Sequence, residues 1–280
     1  MRRLLLAPIA VLLTASPASA SQLIDRNATG VKLEVGRDGR ALLTYRAHGR
    51  LWRVRAWGAI NARHPTPRRP QVQFRIRRDG KPITNVCRRY AGPPLPWLVT
   101  ACTAPDGSHW AVQRFRRKGP WALHLSRWTG PLAKLEAWAD WSWSGRFHHL
   151  FGRLTYRGRP VHGFRTTSTG ARLDKYGRLV YVDTLDSALG RGWRRENSFV
   201  THKPTGVFCY TFRSRGGRPS GHGRRYRLTV EGPGVTPDVM RYLDGLPNYD
   251  GRNAQHVAHE REMNALQDQV TVGDRLCRKH

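Results

Sequence analysis

The sequence predicts an all-β protein: an antiparallel β-sandwich-type body, of one or two packed β units, with a short C-terminal helical tail. From residue 31 to residue 231, apolar and polar side chains alternate with a period of two, which is typical of half-buried strands. Turn-forming residues separate these segments, and helical spacing occurs only near the C-terminus. A hydrophobic fraction of 39% is enough to fill a core and excludes wholesale disorder.

The first twenty residues contain the three parts of a secretory signal peptide, in the expected order. Arg2 and Arg3 precede an apolar stretch at residues 4–13, and Ala18-Ser19-Ala20 is a small-residue cleavage site. We therefore expect residues 1–20 to be a signal peptide cleaved after Ala20, and the mature protein to be secreted or associated with the cell envelope. An uncleaved anchor is the alternative. No second apolar run reaches the ~18 residues that span a bilayer, so no transmembrane segment is expected in the mature chain.

Residues 21–145 are predicted to form an N-terminal β domain. Apolar and charged side chains alternate at residues 31–35, and residues 36–39 then turn the chain. The same alternation occurs at residues 52–56 and 72–76. Further strands are predicted along the whole chain at 109–116, 121–127, 133–144, 147–156, 178–184, 206–213 and 225–231.

A second β unit is predicted over residues 146–235 on the basis of a resemblance. Gly152-Arg153-Leu154-Thr155-Tyr156 is followed by Gly158-Arg159-Pro160-Val161-His162-Gly163, Thr167-Ser168-Thr169 and Asp174-Lys175-Tyr176-Gly177-Arg178. This succession of strands and turns resembles the carboxypeptidase-regulatory-like module, a small transthyretin-like β-sandwich. The resemblance implies a folding aid, a spacer or a surface-binding unit. The whole chain also looks like secreted proteins of high-GC bacteria that have no assigned activity, which bears on localisation alone.

Residues 236–280 are predicted to form the helical tail. Val257, Met263, Leu266 and Val270 have near-helical spacing between residues 254 and 270. Asn253 precedes this segment and is a suitable N-cap, because its side chain can accept a hydrogen bond from the first helical turn.

The four cysteines indicate two disulfides, because an exported chain folds in an oxidising compartment. Cys87 and Cys102 flank a proline-rich loop and form the natural local pair. Cys209 and Cys277 are then left, and a bridge between them would attach the end of the chain to a central strand. A catalytic thiol at Cys209, with His202 nearby in sequence, is the alternative, although no nucleophile motif surrounds it.

Glu136, Trp138 and Asp140 are the predicted carbohydrate-binding residues. They share one face of a predicted strand, since alternate residues of a strand point to the same side. An aromatic ring between two acceptors can stack on a sugar ring and bind its hydroxyl groups. The alternative is that Trp138 packs beneath a neighbouring loop, because tryptophan is largely buried on average. At ~3.3 Å per residue the two carboxylates stand about 13 Å apart, too far for the acid pair of a glycosidase.

The charge of the chain predicts a polyanion site. Lys and Arg number 49 against 19 Asp and Glu, a net charge of +30 that becomes +28 without Arg2 and Arg3 and attracts polyanions. Residues 197–230 contain seven basic residues and no acidic one, and a Gly-, Pro- and Ser-rich stretch within them predicts a mobile loop. The predicted polyanion-binding residues are Arg213, Arg215, Arg218, Arg224 and Arg225, whose guanidinium groups could adapt to phosphate or carboxylate oxygens. The alternative is that the arginine excess only reflects genome composition.

These features favour a secreted, monomeric, non-catalytic binding protein for an anionic or carbohydrate surface, such as a cell-wall polymer, an acidic polysaccharide or extracellular DNA. No catalytic residue, cofactor, nucleotide or metal ion is predicted: His256 and His259 lie at i and i+3 but have no evident third ligand. One alternative is a secreted hydrolase of wall or extracellular polysaccharide, for which Asp183, Asp186 and Glu196 are the acids to consider. Another alternative is a structural envelope protein.

Overall fold

A computed structural model of the chain describes residues 21–63, 72–116, 119–143, 145, 147–160, 164–166, 172–174, 179–200, 206–212, 214–215, 218–219, 223–230, 232, 234–271 and 277. Most of the described chain is β-strand in antiparallel sheets, and its α-helix is C-terminal. The predicted all-β class with a helical tail is therefore confirmed. Within the described ranges, no helix is long and apolar enough to cross a membrane.

The N-terminal unit consists of two antiparallel sheets that face each other. The first contains, in order across the sheet, β1 (Gln22–Arg26), β9 (Ala122–Trp128), β8 (His109–Phe115), β7 (Leu98–Thr103) and β6 (Arg88–Arg89). The second contains β2 (Thr29–Val35), β3 (Ala41–Ala47), β4 (Arg50–Trp57) and β5 (Arg75–Arg77). Their inward side chains form one core around Leu43, Tyr45 and Trp110, because alternate residues of each strand point to the same face.

The C-terminal unit repeats this arrangement with two further sheets. In one, β11 (Phe147–Tyr156) pairs along one edge with β10 (Lys134–Ser142) and along the other with β12 (Arg159–Pro160) and β17 (Val207–Phe212). The other contains β16 (Gly190–Val200), β15 (Leu179–Ser187), β20 (Arg225–Val230) and β21 (Val239–Asp244), in that order. Two short ladders pair β13 (Phe164–Thr166) with β14 (Arg172–Asp174) and β18 (Ser214–Arg215) with β19 (Arg218–Pro219). Leu150, Phe208 and Tyr226 are fully buried in the shared core of the two four-stranded sheets.

The boundaries of these units differ from the predicted ones. Pairing between β10 and β11 extends from Lys134 to Ser142, so a boundary between residues 145 and 146 would divide a hairpin. β21 pairs with β20 along its whole length, so the helical tail begins after Asp244 rather than at residue 236. Because of this pairing, β10 and β21 belong to the C-terminal unit. Sequence periodicity indicates strands but not their partners, so it could not predict this assignment.

The predicted helix is present as α1 (Ala254–Val270), with Asn253 as its N-cap. The Asn253 side chain accepts a hydrogen bond from the Gln255 backbone N–H at 2.9 Å, which satisfies one of the free donors of the first turn. Met263, Gln267 and Val270 are buried. The helix packs on β10 and β11 and so covers one face of that sheet.

Both predicted disulfides are confirmed. Cys87 and Cys102 are joined with their Cα atoms 5.6 Å apart, and Cys209 and Cys277 with theirs 5.5 Å apart. Cys209 lies in β17, so the second bridge fixes the end of the chain to a strand of the C-terminal unit. No described cysteine is free.

One predicted strand is shorter than expected. The alternation at residues 72–76 becomes a strand only at β5, which pairs with the last residues of β4. Phe74 is buried and stacks on Trp110, with the ring centres 5.5 Å apart. Core packing thus explains Phe74 and the partly buried Val72, whereas Ile76 is exposed in the short β5 ladder.

The two disulfides should stabilise the fold to different extents. On the chain-entropy model, the bridge over 68 residues contributes about 4 kcal/mol and the bridge over 15 residues about 3 kcal/mol. We expect the double variant Cys209→Ser, Cys277→Ser to lose more free energy of unfolding in urea than the double variant Cys87→Ser, Cys102→Ser. The opposite order would show that local packing outweighs loop closure at these bridges.

Candidate functional site

The central feature of the second four-stranded sheet is a buried carboxylate between two arginines. Asp183 in β15 is 3% exposed and lies opposite Arg195 in β16 and Arg227 in β20. Arg195 donates from Nε to Oδ1 and, at 3.3 Å, from Nη2 to Oδ2. Arg227 donates from Nε and Nη2 to Oδ2 at 3.1 and 2.9 Å. The carboxylate therefore fixes both guanidinium groups and does not engage Nη1 of either.

Each fixed guanidinium lies against an aromatic ring. Cζ of Arg195 is 4.5 Å from the ring centre of Tyr181, and Cζ of Arg227 is 4.6 Å from that of Trp193. Arg227 is also 5.8 Å from the ring centre of Trp97, which belongs to the N-terminal unit. Such cation–π contacts are worth ~0.5–2 kcal/mol each, so they further restrict the two arginine side chains.

Arg195, Arg227, Tyr181 and Trp97 belong to the lining of a cleft between the N-terminal and C-terminal units, with a volume of about 210 Å³. The residues that line it are Trp97, Phe115, Arg116, Trp121, Tyr181, Arg195, Arg227 and Thr229. We call this set, with Asp183 beneath it, the aromatic–arginine cleft. Its lining combines four aromatic rings with three arginines and contains no acidic side chain.

Trp97 reaches the cleft from a strained backbone conformation. Its φ of 50° lies in the left-handed region, which a bulky residue rarely adopts. The Trp97 carbonyl accepts a hydrogen bond from the Arg114 N–H at 2.9 Å, which holds this conformation beside β8. Strain of this kind costs about 1–3 kcal/mol, and Trp143 is another described tryptophan with a φ of 50°.

The row of arginines and aromatic rings continues across the sheet beyond the cleft. Tyr242 in β21 lies opposite Arg227, and its ring centre is 5.8 Å from that of Trp193. Cζ of Arg225 is 5.3 Å from the Tyr242 ring centre. Across the four strands, Arg195, Asp183, Arg227 and Tyr242 lie opposite one another, so this row carries two cations, one anion and one aromatic ring.

The predicted carbohydrate-binding residues do not form an exposed face. Asp140 is fully buried, and its carboxylate accepts the Trp141 N–H at 2.7 Å. Glu136 is paired with Arg153 and Lys134, whose hydrogen bonds hold the pKa of this carboxyl below its ordinary value. Asp140 is thus not available at the surface, α1 packs on β10, and a role of these residues in sugar binding stays a prediction.

Trp138 packs against strands and the C-terminal segment rather than beneath a loop. It is partly buried and stacks on Phe151, with the ring centres 5.6 Å apart. It also packs against the cluster of Val207, Val270 and Cys277. Its partners therefore come from β11, from β17 and from the C-terminal segment, and a role of Trp138 in sugar binding stays a prediction.

The predicted polyanion-binding arginines are only partly described. Arg213 lies outside the described residues, and Arg215 and Arg218 pair through their backbones in the hairpin of β18 and β19. Arg224 lies 3.7 Å from Asp186, and Arg225 lies 3.4 Å from Asp244, both at exposed positions. Arg225 is the residue of this set that lies beside the Tyr242 ring.

The acids suggested for a hydrolase do not converge. Asp183 and Thr184 are neighbours on a strand and so point to opposite faces. The Thr184 hydroxyl donates to Glu196, whereas Asp183 binds Arg195 and Arg227 on the other face. Asp186 accepts the backbone N–H of Gly192 at 2.8 Å. This arrangement separates the carboxylates that a glycosidase would need to bring together.

Sequence reasoning did not identify most of the cleft. The pairs Tyr181-x-Asp183 and Trp193-x-Arg195 each place an aromatic and a charged side chain on one face of a strand, and this spacing was the available signal. Trp97 and Trp121 carry no such signal, because they lie outside strands and reach the cleft through the contact between the two units.

Three comparisons, with protein-family models, with curated proteins and with solved structures, find no match for this chain. The resemblance of residues 146–235 to a carboxypeptidase-regulatory-like module therefore stays a prediction. Its two turn motifs fall partly at residues 161–163 and 175–178, which lie outside the described residues. The candidate site rests on the geometry of the cleft alone.

Replacing the buried carboxylate should destabilise the protein. Asp183→Asn leaves two partly buried guanidinium groups close together without their shared counter-charge, and we expect a loss of about 3 kcal/mol in the free energy of unfolding. Urea denaturation measures it. Asp186→Asn is the matched control, because this exposed side chain should change stability by about 0.5 kcal/mol or less. Equal stability of the two variants would contradict the assigned role of Asp183.

Proposed function

We propose that the protein is a secreted binding protein that holds an acidic polysaccharide in the aromatic–arginine cleft. The observation that carries this proposal is the pair Arg195 and Arg227, each fixed by Asp183 and each resting on an aromatic ring. Guanidinium groups recognise carboxylate and sulfate oxygens through paired hydrogen bonds, and a group that is already fixed loses little entropy on binding.

The size and lining of the cleft favour one charged sugar unit of a longer chain. A volume of about 210 Å³ is below the ~300–1,000 Å³ that is typical of sites for drug-sized ligands. A pyranose ring has an apolar C–H face that stacks on aromatic rings such as Trp121, which is 44% exposed. Beyond the cleft, Trp193, Tyr242 and Arg225 provide further aromatic and cationic groups for neighbouring sugar units of the polysaccharide.

Single-stranded nucleic acid is the other polyanion that aromatic and cationic groups bind. A guanidinium lies over one face of Tyr181 and another over one face of Trp121, and both a sugar ring and a base would stack on the faces that remain. Comparison of an acidic oligosaccharide with a single-stranded oligonucleotide therefore distinguishes the two ligand classes.

Secretion belongs to the same proposal. Two disulfides favour an oxidising compartment, and residues 1–20 have the pattern of a signal peptide. A net charge of +28 after cleavage would draw acidic polymers to the surface before the cleft selects one.

Titration calorimetry with a polygalacturonate oligomer tests the proposal. We expect Trp121→Ala to weaken binding about five- to tenfold, because the loss of one stacking contact removes ~1–1.4 kcal/mol. Arg116→Gln, at the exposed edge of the cleft, should also weaken it. The matched controls are Trp143→Ala, at a tryptophan that is 55% exposed, and Arg50→Gln, at an exposed arginine of β4.

Two results would contradict the proposal. If Arg50→Gln weakens binding as much as Arg116→Gln does, the attraction is due to diffuse net charge and not to the cleft. If a single-stranded oligothymidylate binds more tightly than polygalacturonate and depends equally on Trp121, the ligand class is nucleic acid.

A further inference from the structure

A second cavity, of about 380 Å³, opens in the N-terminal unit and shares no lining residue with the aromatic–arginine cleft. It is formed by the turn between β2 and β3, the end of β4, the turn between β7 and β8, and β9. The lining side chains that carry a charge or an aromatic ring are Arg37, Asp38, Arg40, Trp57, Asp106 and Arg127. We call this cavity the Trp57 pocket.

The inner wall of the pocket is a fixed ion pair. The Arg127 side chain is 11% exposed, and its Cζ lies 4.8 Å from the ring centre of Trp110. It donates from Nε to the Ser108 hydroxyl at 3.2 Å and from Nη2 to Oδ2 of Asp106 at 2.8 Å. A charged group this buried is held in one orientation, so it presents a constant surface to a ligand.

Asp106 is equally well fixed. Its Oδ1 accepts the Ser108 N–H at 2.9 Å and the Ser108 hydroxyl at 2.6 Å. Burial alone would raise the pKa of Asp106, but the hydrogen bonds from Ser108 and the charge of Arg127 lower it below its ordinary value. The carboxylate is therefore an ionised acceptor at neutral pH.

The outer wall contains a second ion pair beside an indole ring. Nε of Arg40 lies 3.3 Å from Oδ2 of Asp38, and Cζ of Arg40 lies 5.5 Å from the ring centre of Trp57. The pocket thus offers two carboxylate acceptors, three guanidinium donors, including Arg37, and one aromatic wall.

Gly39 keeps the pocket open. Its φ of 69° lies in the left-handed region, where glycine is favoured. A Cβ at this position would stand 3.4 Å from Nη2 of Arg127, so any larger side chain would extend over the buried ion pair. The absence of a side chain leaves room for a ligand at that point.

We propose that the Trp57 pocket is a second carbohydrate site, which takes a neutral sugar ring. Carboxylates accept hydrogen bonds from sugar hydroxyl groups, guanidinium groups donate to their oxygens, and an indole stacks on the C–H face of the ring. Asp38 and Asp106, each paired with an arginine, give the pocket carboxylate acceptors for sugar hydroxyl groups, which the lining of the aromatic–arginine cleft lacks. The inference rests on this pocket alone and does not depend on the function proposed for the cleft.

Calorimetric titration with neutral hexasaccharides tests the proposal; the probes are cellohexaose, laminarihexaose, mannohexaose, maltohexaose and chitohexaose. We expect saturable binding of at least one of them. Trp57→Ala should weaken that binding at least tenfold, and Asp38→Asn should weaken it severalfold. Asp38 is half exposed, so its replacement tests the site without disturbing the buried ion pair. Asp244→Asn, at a carboxylate that is 92% exposed, is the matched control and should bind as the wild type does.

Three results would overturn the proposal. The first is the absence of saturable binding with all five oligosaccharides. The second is binding that Trp57→Ala and Asp38→Asn leave unchanged, since the sugar would then bind elsewhere. The third is a loss of polygalacturonate binding in the Trp57→Ala variant, because the pocket would then hold an acidic sugar.

Discussion

The candidate site depends on one buried carboxylate, Asp183, shared by Arg195 and Arg227 on the two neighbouring strands. An unpaired charge in this position would be costly, so the three side chains are stable only together. Their pairing sets the positions of both guanidinium groups, and these in turn lie on Tyr181 and Trp193. The contact between the N-terminal and C-terminal units then adds the tryptophans that complete the cleft.

Features that depend on local sequence were predicted well. The helix Ala254–Val270 and its N-cap Asn253 follow from side-chain spacing and capping within one segment, and both agree with the structure. The β16 strand Gly190–Val200 was not predicted, because its sequence is rich in charged and polar residues. It becomes a strand through its pairing with β15, a non-local interaction that a pattern search along the chain does not contain.

The contrast between local and non-local interactions also explains which site residues the sequence could predict. Alternation correctly placed Glu136, Trp138 and Asp140 on one side of a strand, but it could not show that the helix packs on that sheet and that Asp140 is fully buried. The aromatic–arginine cleft combines side chains from positions 97 to 229, which only the assembled sheets bring together. The sequence alone does not show which of its many arginines have fixed side chains. In the structure, Arg195 and Arg227 are paired with Asp183, whereas Arg50 is exposed.

Hydroxyl-radical footprinting of the complex with a polygalacturonate oligomer shows whether acidic polysaccharide occupies the aromatic–arginine cleft. We expect the ligand to protect Trp97, Trp121 and Tyr181 from oxidation, while the exposed Trp143 reacts at the same rate with and without ligand. Saturable binding that leaves Trp97, Trp121 and Tyr181 unprotected would show that the polysaccharide binds elsewhere on the protein.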